Sequence, residues 1–414
     1  MIYNIYYAGK INQIELSDKK IIPIIYPDKK ITDDENSIIS NSISNPLNSK
    51  SLKDFIRDEN KLLIIINDGA RPTPTAKILK HLNLHIKSKE VKFIIATGVH
   101  RNPSEEELKK IFGEFYFEYK SNIVFHNAKD KSENVYLGKT SRGTEVYLNK
   151  IISDYKKKIA ISSVEPHYFA GYTGGRKSFV PGIASFETIE HNHKFALYEN
   201  SKGLILKGNP VSEDMDEAIS FLKDKEIFSI QAVLDIDRKI YSVSSGNIFD
   251  SFAKAVSNAE DVFCARAKEK ADIVIAVASP PTDSDLCQAH KAIEHSKLIL
   301  KDEGILILIA QCKEGLGPQG YYDLLSSCNT PEEVFEKISK GYKLGYHKAA
   351  KLAEIMMKSE IWAVTDLTKE TMDKIFIKKY SEVETAIYDA IKRKGSDAKL
   401  AILNDAGNIV PIIE

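Results

Sequence analysis

Residues 158–178 read KIAISSVEPHYFAGYTGGRKS. The stretch opens on a short apolar run, Lys158-Ile159-Ala160-Ile161-Ser162, of the length and character of a buried strand. It ends in a loop that carries His167, three glycines and the cations Arg176 and Lys177. Two earlier segments share this layout. Leu62-Leu63-Ile64-Ile65-Ile66 runs into Asn67-Asp68-Gly69-Ala70-Arg71-Pro72-Thr73, and Val91-Lys92-Phe93-Ile94-Ile95-Ala96 runs into Thr97-Gly98-Val99-His100-Arg101. Helical patterns fall between them, from Thr75 to Leu84 and from Pro103 to Phe112, the latter with Ser104-Glu105-Glu106-Glu107 as an acidic first turn. Strand–helix alternation predicts an α/β fold with mostly parallel sheets. Reactive groups then gather at the carboxyl ends of the strands, where such folds bind ligands.

A second set begins near residue 270. Ala271 to Val277 reads as a strand, Lys291 to Lys301 as a helix, and Gly304 to Ala310 as a strand. Helices are expected over roughly 331–341, 346–358 and 370–393, with a strand at Ile361-Trp362-Ala363-Val364. The first 25 residues alternate around Ala8-Gly9-Lys10 and suggest a hairpin. Residues 33–52 are rich in Ser, Asn and Asp, which suits a loop or short helix. The tail Lys399-Leu400-Ala401-Ile402-Leu403 reads as a last strand returning to the first domain. The expected organisation is two α/β domains, 1–267 plus 398–414 and 268–397, with the active site in the cleft between them.

Composition narrows the function. Lys+Arg and Asp+Glu both total 58, a formal net charge of zero, which argues against nucleic acid as the partner. No apolar run approaches the ~18–20 residues that span a bilayer, and the first residues lack the pattern of a secretory signal. The four cysteines, Cys264, Cys287, Cys312 and Cys328, form no CxxC pair, so neither a disulfide framework nor a structural zinc site is expected. The chain reads as soluble and cytoplasmic, without a membrane partner.

The residues leave several alternatives open. Asp68 and Arg71 are either a structural ion pair or site residues. His100 and His167 are loop histidines or a pair of acid–base groups, and two bases flanking one carbon suit racemisation. The loop ending at Lys177 is not a P-loop, because Arg176 replaces the glycine before the lysine. The amides of Gly174 and Gly175 could still cradle one phosphate, and Lys177 would then be a phosphate contact or a covalent anchor. Residues 185–197 read as a helix with Ser185 as N-cap and His193 on its apolar stripe. His191 lies roughly 200° around that helix and points elsewhere, so the two do not chelate one metal. His193 is a core histidine or a single ligand. Gln288 and Lys291 share one face at the start of a helix, aimed at a carboxylate or simply solvated.

Taken together, these segments resemble the nickel-dependent lactate racemase family. The likeness is densest at 68–74, 98–101 and 165–182, and continues at 288–292, 315–317 and 345–349. The resemblance implies an isomerase that uses a nickel pincer nucleotide, joined covalently to Lys177, with His193 as the metal ligand. It implies racemisation of a 2-hydroxy acid by proton-coupled hydride transfer, with His100 and His167 as the catalytic acid–base pair. Arg71, Gln288 and Lys291 would bind substrate, while Asp68, Thr73, Gly174 and Gly175 would help hold the cofactor. Cofactor-synthesis and nickel-insertion enzymes would be partners. In lactate-acting members an aromatic residue is expected before the glutamine, where this chain has Cys287. That leaves a larger 2-hydroxy acid, with racemase or epimerase chemistry, as an alternative to lactate. A non-catalytic nickel- or nucleotide-binding homologue is the third reading.

Overall fold

The computed structural model describes residues 1–16, 20–27, 34–222 and 226–414. The chain forms two compact units, one of Asp28–Val262 and one of Met1–Pro27 with Phe263–Glu414. This corrects the expected division, which joined the N-terminal residues and the tail to the first domain. The reason is packing. Strands β1 (Ile2–Tyr7) and β2 (Lys10–Glu15) pair antiparallel, turning at Ala8 and Gly9. The hairpin buries Ile5, Ile14 and Leu16 in one core with Ile273, Ile305 and Trp362.

In the unit of residues 28–262, the Ser- and Asn-rich segment forms helices α1 (Glu35–Ser44) and α2 (Leu52–Phe55). Residue 33 lies outside the described residues. Strand β3 (Lys61–Asn67), helix α3 (Thr75–Ile86), strand β4 (Glu90–Ala96) and helix α4 (Glu105–Phe112) follow as predicted. Ser104 and Glu107 close a capping box at the start of α4, satisfying amides that a helix N-terminus leaves free. Helix α5 (Tyr116–Tyr119), strand β5 (Ile123–Phe125) and the hairpin of β6 (Asn134–Lys139) and β7 (Glu145–Asn149) lead to β8 (Lys157–Ser163). After β8 come a small ladder of β9 (Pro166–His167) and β10 (Gly171–Tyr172), then helices α6 (Phe186–Lys194) and α7 (Pro210–Ser220). Strands β11 (Ile227–Leu234) and β12 (Ile240–Gly246) and helix α8 (Ile248–Phe263) complete it.

The main sheet runs β12-β11-β8-β3-β4-β5, parallel except for β12. The central strands are buried on both faces, which explains their unbroken apolar runs. Ile66 of β3 is level with Ile161 of β8 and Ile95 of β4. The three predicted loops therefore leave one edge of the sheet from adjacent strands.

The other unit adds β13 (Cys264–Ala267), β14 (Ala271–Val277), α9 (Leu286–Ser296) and β15 (Leu300–Ile309). Helices α10 (Gln319–Ser326), α11 (Pro331–Lys340) and α12 (Tyr346–Met356) precede β16 (Glu360–Val364). Helix α13 (Lys369–Asp373), β17 (Lys378–Tyr380), α14 (Val383–Lys394), β18 (Leu400–Leu403) and β19 (Val410–Ile413) end the chain. Its parallel sheet runs β17-β16-β15-β14-β18. The tail strand thus pairs with β14 and does not return to the first sheet. Two expected helices are also corrected. The one over 291–301 starts at Leu286, in keeping with a helix opening around Gln288, and ends at Ser296, with Leu300 and Lys301 already in β15. The one over 370–393 is interrupted by β17, with Phe376 at a left-handed φ of 63°.

Candidate active site

The loop after β3 places Asp68, 7% exposed, against the loop after β4. Its Oδ1 accepts the Ala70 N–H at 3.2 Å, and its Oδ2 lies 2.8 Å from His100 Nδ1. A carboxylate only accepts, so His100 Nδ1 carries a proton, and in the neutral ring Nε2 then keeps a lone pair. The His100 side chain is 57% exposed, so that lone pair is accessible. Gly98 bends this loop at a φ of 56°, and its N–H donates to Gly182 O at 2.9 Å. A cavity of about 320 Å³ opens beside His100, lined also by Arg101, His126 and Lys129. His126 is occupied, with Nε2 2.8 Å from Ala184 O and Nδ1 3.2 Å from Asn149 Nδ2.

The Asp68–Arg71 ion pair weighed as one alternative does not form. Arg71 Nη1 instead faces Glu165 Oε1 at 3.7 Å. Thr73 Oγ1 donates to Asn67 Oδ1 at 2.9 Å and lies 3.0 Å from Ser163 Oγ, tying the β3 loop to the end of β8.

The glycine-rich segment is built differently from a phosphate cradle. Gly174 and Gly175 have φ of 82° and 53°. A Cβ on Gly174 would lie 2.5 Å from Val164 Cγ2, and one on Gly175 2.8 Å from the Phe252 ring. The Gly175 N–H is already donated to Gln231 Oε1 at 2.8 Å. The expected two-amide cradle is therefore corrected, because one of its amides is bonded within the core. Arg176 is 2% exposed. Its Nε lies 3.1 Å from Asp216 Oδ1, and Nη2 donates to Ala170 O at 3.2 Å and Ser212 Oγ at 2.9 Å. Arg176 pins the loop from inside and leaves Lys177 as the neighbouring cation.

Lys177, His167 and His193 meet around one ring. The His167 ring stands edge-on to Phe169 at 4.5 Å, the His193 ring at 5.3 Å, and Lys177 Nζ lies 5.6 Å from the same centroid. The ladder of β9 and β10 makes this possible, because Gly171 pairs with His167 and the turn between them projects Phe169. His167 Nδ1 accepts the Ala170 N–H at 3.3 Å, so its neutral ring holds the proton on Nε2, the opposite tautomer to His100. His193 is set by α6, which Ser185 caps as predicted. His191 turns away to Thr144, with Nδ1 2.8 Å from Oγ1. Beneath α6, the buried Asp214 carboxylate accepts from Thr140, Thr144 and Asn192, which fixes the helix rotation that aims His193 at Phe169.

Gln288 and Lys291 lie on the first turns of α9 in the other unit, both half-buried. Cys287, beside Gln288, is 4% exposed and its Sγ takes a hydrogen bond from Lys348 Nζ. Sequence reasoning missed Phe169 as a common support and Glu165 as the partner of Arg71. The position of both inside the dense 165–182 segment was the available signal.

Comparison with known proteins bears on this arrangement. The lactate racemase N-terminal domain matches residues 7–204, and the lactate racemase C-terminal domain matches residues 266–411. The chain belongs to the lactate racemase family. It is an isomerase by that membership. It is 28% identical over 392 residues to the lactate racemase of Thermoanaerobacterium thermosaccharolyticum, covering 92% of this chain and 91% of the relative. It is 28% identical over 394 residues to that of Lactiplantibacillus plantarum, covering 91% of each. The solved structure of the T. thermosaccharolyticum lactate racemase apoprotein superposes with a TM-score of 0.92 at 27% identity, covering 100% of both chains. A Thermotoga maritima crystal structure at 15% identity shares the fold, with a TM-score of 0.71 over 92% of this chain and 98% of that one. Among the described residues, no helix is long and apolar enough to cross a membrane.

Proposed function

We propose that this lactate racemase family member interconverts the enantiomers of a 2-hydroxy acid, lactate or a close relative, using a nickel pincer nucleotide joined to Lys177. The observation that carries the proposal is the convergence of Lys177, His193 and His167 on Phe169. The donor set suits the group. A primary amine for covalent attachment and an imidazole, a good nickel ligand, flank the same ring. Among the described residues no cluster of three or more His, Cys, Asp or Glu could hold a metal ion, so a lone histidine fits a metal whose other donors come with the cofactor. When bound, that cofactor supplies an acceptor and donor for the substrate's Cα hydride.

The chain's own residues handle the proton and the carboxylate. His100 Nε2 takes the hydroxyl proton of one enantiomer, and Asp68 stabilises the resulting imidazolium. His167 starts as an Nε2–H donor to the substrate oxygen. It becomes a base for the other enantiomer when its proton moves to Nδ1, which gives up the long 3.3 Å contact with the Ala170 N–H. Arg71 grips the carboxylate, with Gln288 and Lys291 as further substrate-binding residues. Phe169 and Tyr168, both buried, pack against the His167 ring and hold it in place.

A second reading, a larger 2-hydroxy acid as substrate, is favoured by one feature. Cys287 is a small buried side chain directly before Gln288, where lactate-acting members are expected to carry an aromatic ring, and the smaller residue suits a bulkier acid.

The test is holoprotein made with the cofactor-synthesis and nickel-insertion enzymes present, assayed on a panel of 2-hydroxy acids by chiral chromatography. Interconversion of lactate supports the first reading, and of only bulkier acids the second. No turnover on any acid, despite a Lys177 adduct by intact mass and bound nickel, overturns both in favour of a binding-only homologue.

A further inference from the structure

Glu165 opens the reactive segment, and its placement gives it no role in folding the loop that its backbone does not already fill. Its N–H donates to Thr173 Oγ1 at 2.9 Å, and its carbonyl accepts the Thr173 N–H at 2.8 Å. Those bonds anchor the main chain and leave the carboxylate to face Arg71. The two side chains are 19% and 25% exposed, so the pair sits largely out of water. Oε1 is buried and accepts no hydrogen bond among the described residues, and its 3.7 Å approach to Arg71 Nη1 is an electrostatic contact longer than a hydrogen bond. An unsatisfied buried carboxylate oxygen is costly, and its retention here calls for a physical return.

We propose that Glu165 is a positioning residue that decides which edge of Arg71 meets the substrate. A guanidinium offers donors on more than one edge, and a carboxylate needs two parallel donors from one of them. With Glu165 drawn to Nη1, the Nε–Nη2 edge is the one left for a bidentate grip. Glu165 also offsets the guanidinium charge, so that Arg71 discriminates by geometry and simple anions gain little from its charge alone. The inference rests on the substrate-binding role of Arg71 in the proposed function.

Removing only the charge separates this role from a structural one. In Glu165→Gln holoenzyme, KM for the hydroxy acid rises about tenfold while kcat stays within about threefold. Chloride, which needs charge and no edge, inhibits several-fold more strongly in the same variant. Glu165→Asp recovers most of the KM. An unchanged KM, or substrate and chloride weakening together, overturns the proposal. Should the wild-type holoenzyme racemise none of the panel, the functional reading fails. The positioning claim is then decided on cofactor-free chains by chloride-dependent thermal shift: tighter chloride binding by Glu165→Gln than by wild type supports it, and equal binding overturns it.

Discussion

Asp68 Oδ2 and His100 Nδ1 are 2.8 Å apart across two loops that leave neighbouring strands, and this contact fixes which nitrogen of His100 is free to react. In Asp68→Asn an amide donor can face Nδ1, moving the ring proton to Nε2. We expect kcat to fall by about 10²–10⁴-fold with little change in KM or circular dichroism. A variant with wild-type kcat would remove His100 from the acid–base role.

The two histidines are expected to serve opposite enantiomers. A racemase has an equilibrium constant of one by symmetry, so kcat/KM must fall equally in both directions in any variant. The distinction therefore lies in single turnovers. His100→Ala is expected to oxidise one enantiomer to bound 2-keto acid and His167→Ala the other, each with overall racemisation lost. Full racemisation by either variant contradicts a two-base scheme.

Lys177→Ala is expected to abolish the covalent adduct by intact mass, with the melting temperature changed little because the lysine is half-buried on the rim of the Phe169 ring. Persistence of the adduct mass would move the attachment point to another residue.

Gly175→Ala tests whether the loop is a core element or an anion cradle. With a φ of 53° and Phe252 at 2.8 Å from the added Cβ, the substitution is expected to cost at least about 1–3 kcal/mol. A denaturation midpoint equal to wild type would show that the backbone here adjusts without strain.

Acid should destabilise the unit that holds α9. Burial holds His295 at about 4 against an ordinary 6.5, with Lys291 and Lys297 adding to the effect and Glu294 and the Ala406 carbonyl opposing it. The unfolded chain binds more protons in that window, so the stability is complete above 6.5 and is lost as pH falls toward 4. Burial raises Glu294, yet Lys297 and His290 hold it down at about 2, which extends the loss below 4.5. Thermal melts from pH 7 to pH 4 should show a steady fall, shallower in His295→Gln. A flat profile would mean that His295 is accessible to protons in the folded state.

Much of the frame was legible in the sequence because buried parallel strands are apolar on both faces. Strands β3, β4 and β8 therefore stood out, and the helical angle alone separated His191 from His193. Strand β11 did not stand out, because Ser229 and Gln231 interrupt its apolar run. Both are fully buried, and Gln231 is tolerated there because it takes the Ser162 hydroxyl and the Gly175 amide. The Asp68–His100 and Arg71–Glu165 pairings join separate loops, and no periodicity encodes which carboxylate faces which cation. Phe169 looked like one more apolar residue until the turn between β9 and β10 projected it. The partner of the N-terminal hairpin was equally hidden, since an alternating strand pair suits any apolar sheet face.

The hairpin has a consequence for how the protein is made. Its buried face needs Ile273, Ile305 and Trp362, and Ile22 bonds to Leu400. The hairpin therefore waits for strands that follow residue 262, while the unit of residues 28–262 has its own core and can fold before those strands are made. The unit carrying Lys177 and His193 can then be folded while the rest of the chain is still being synthesised.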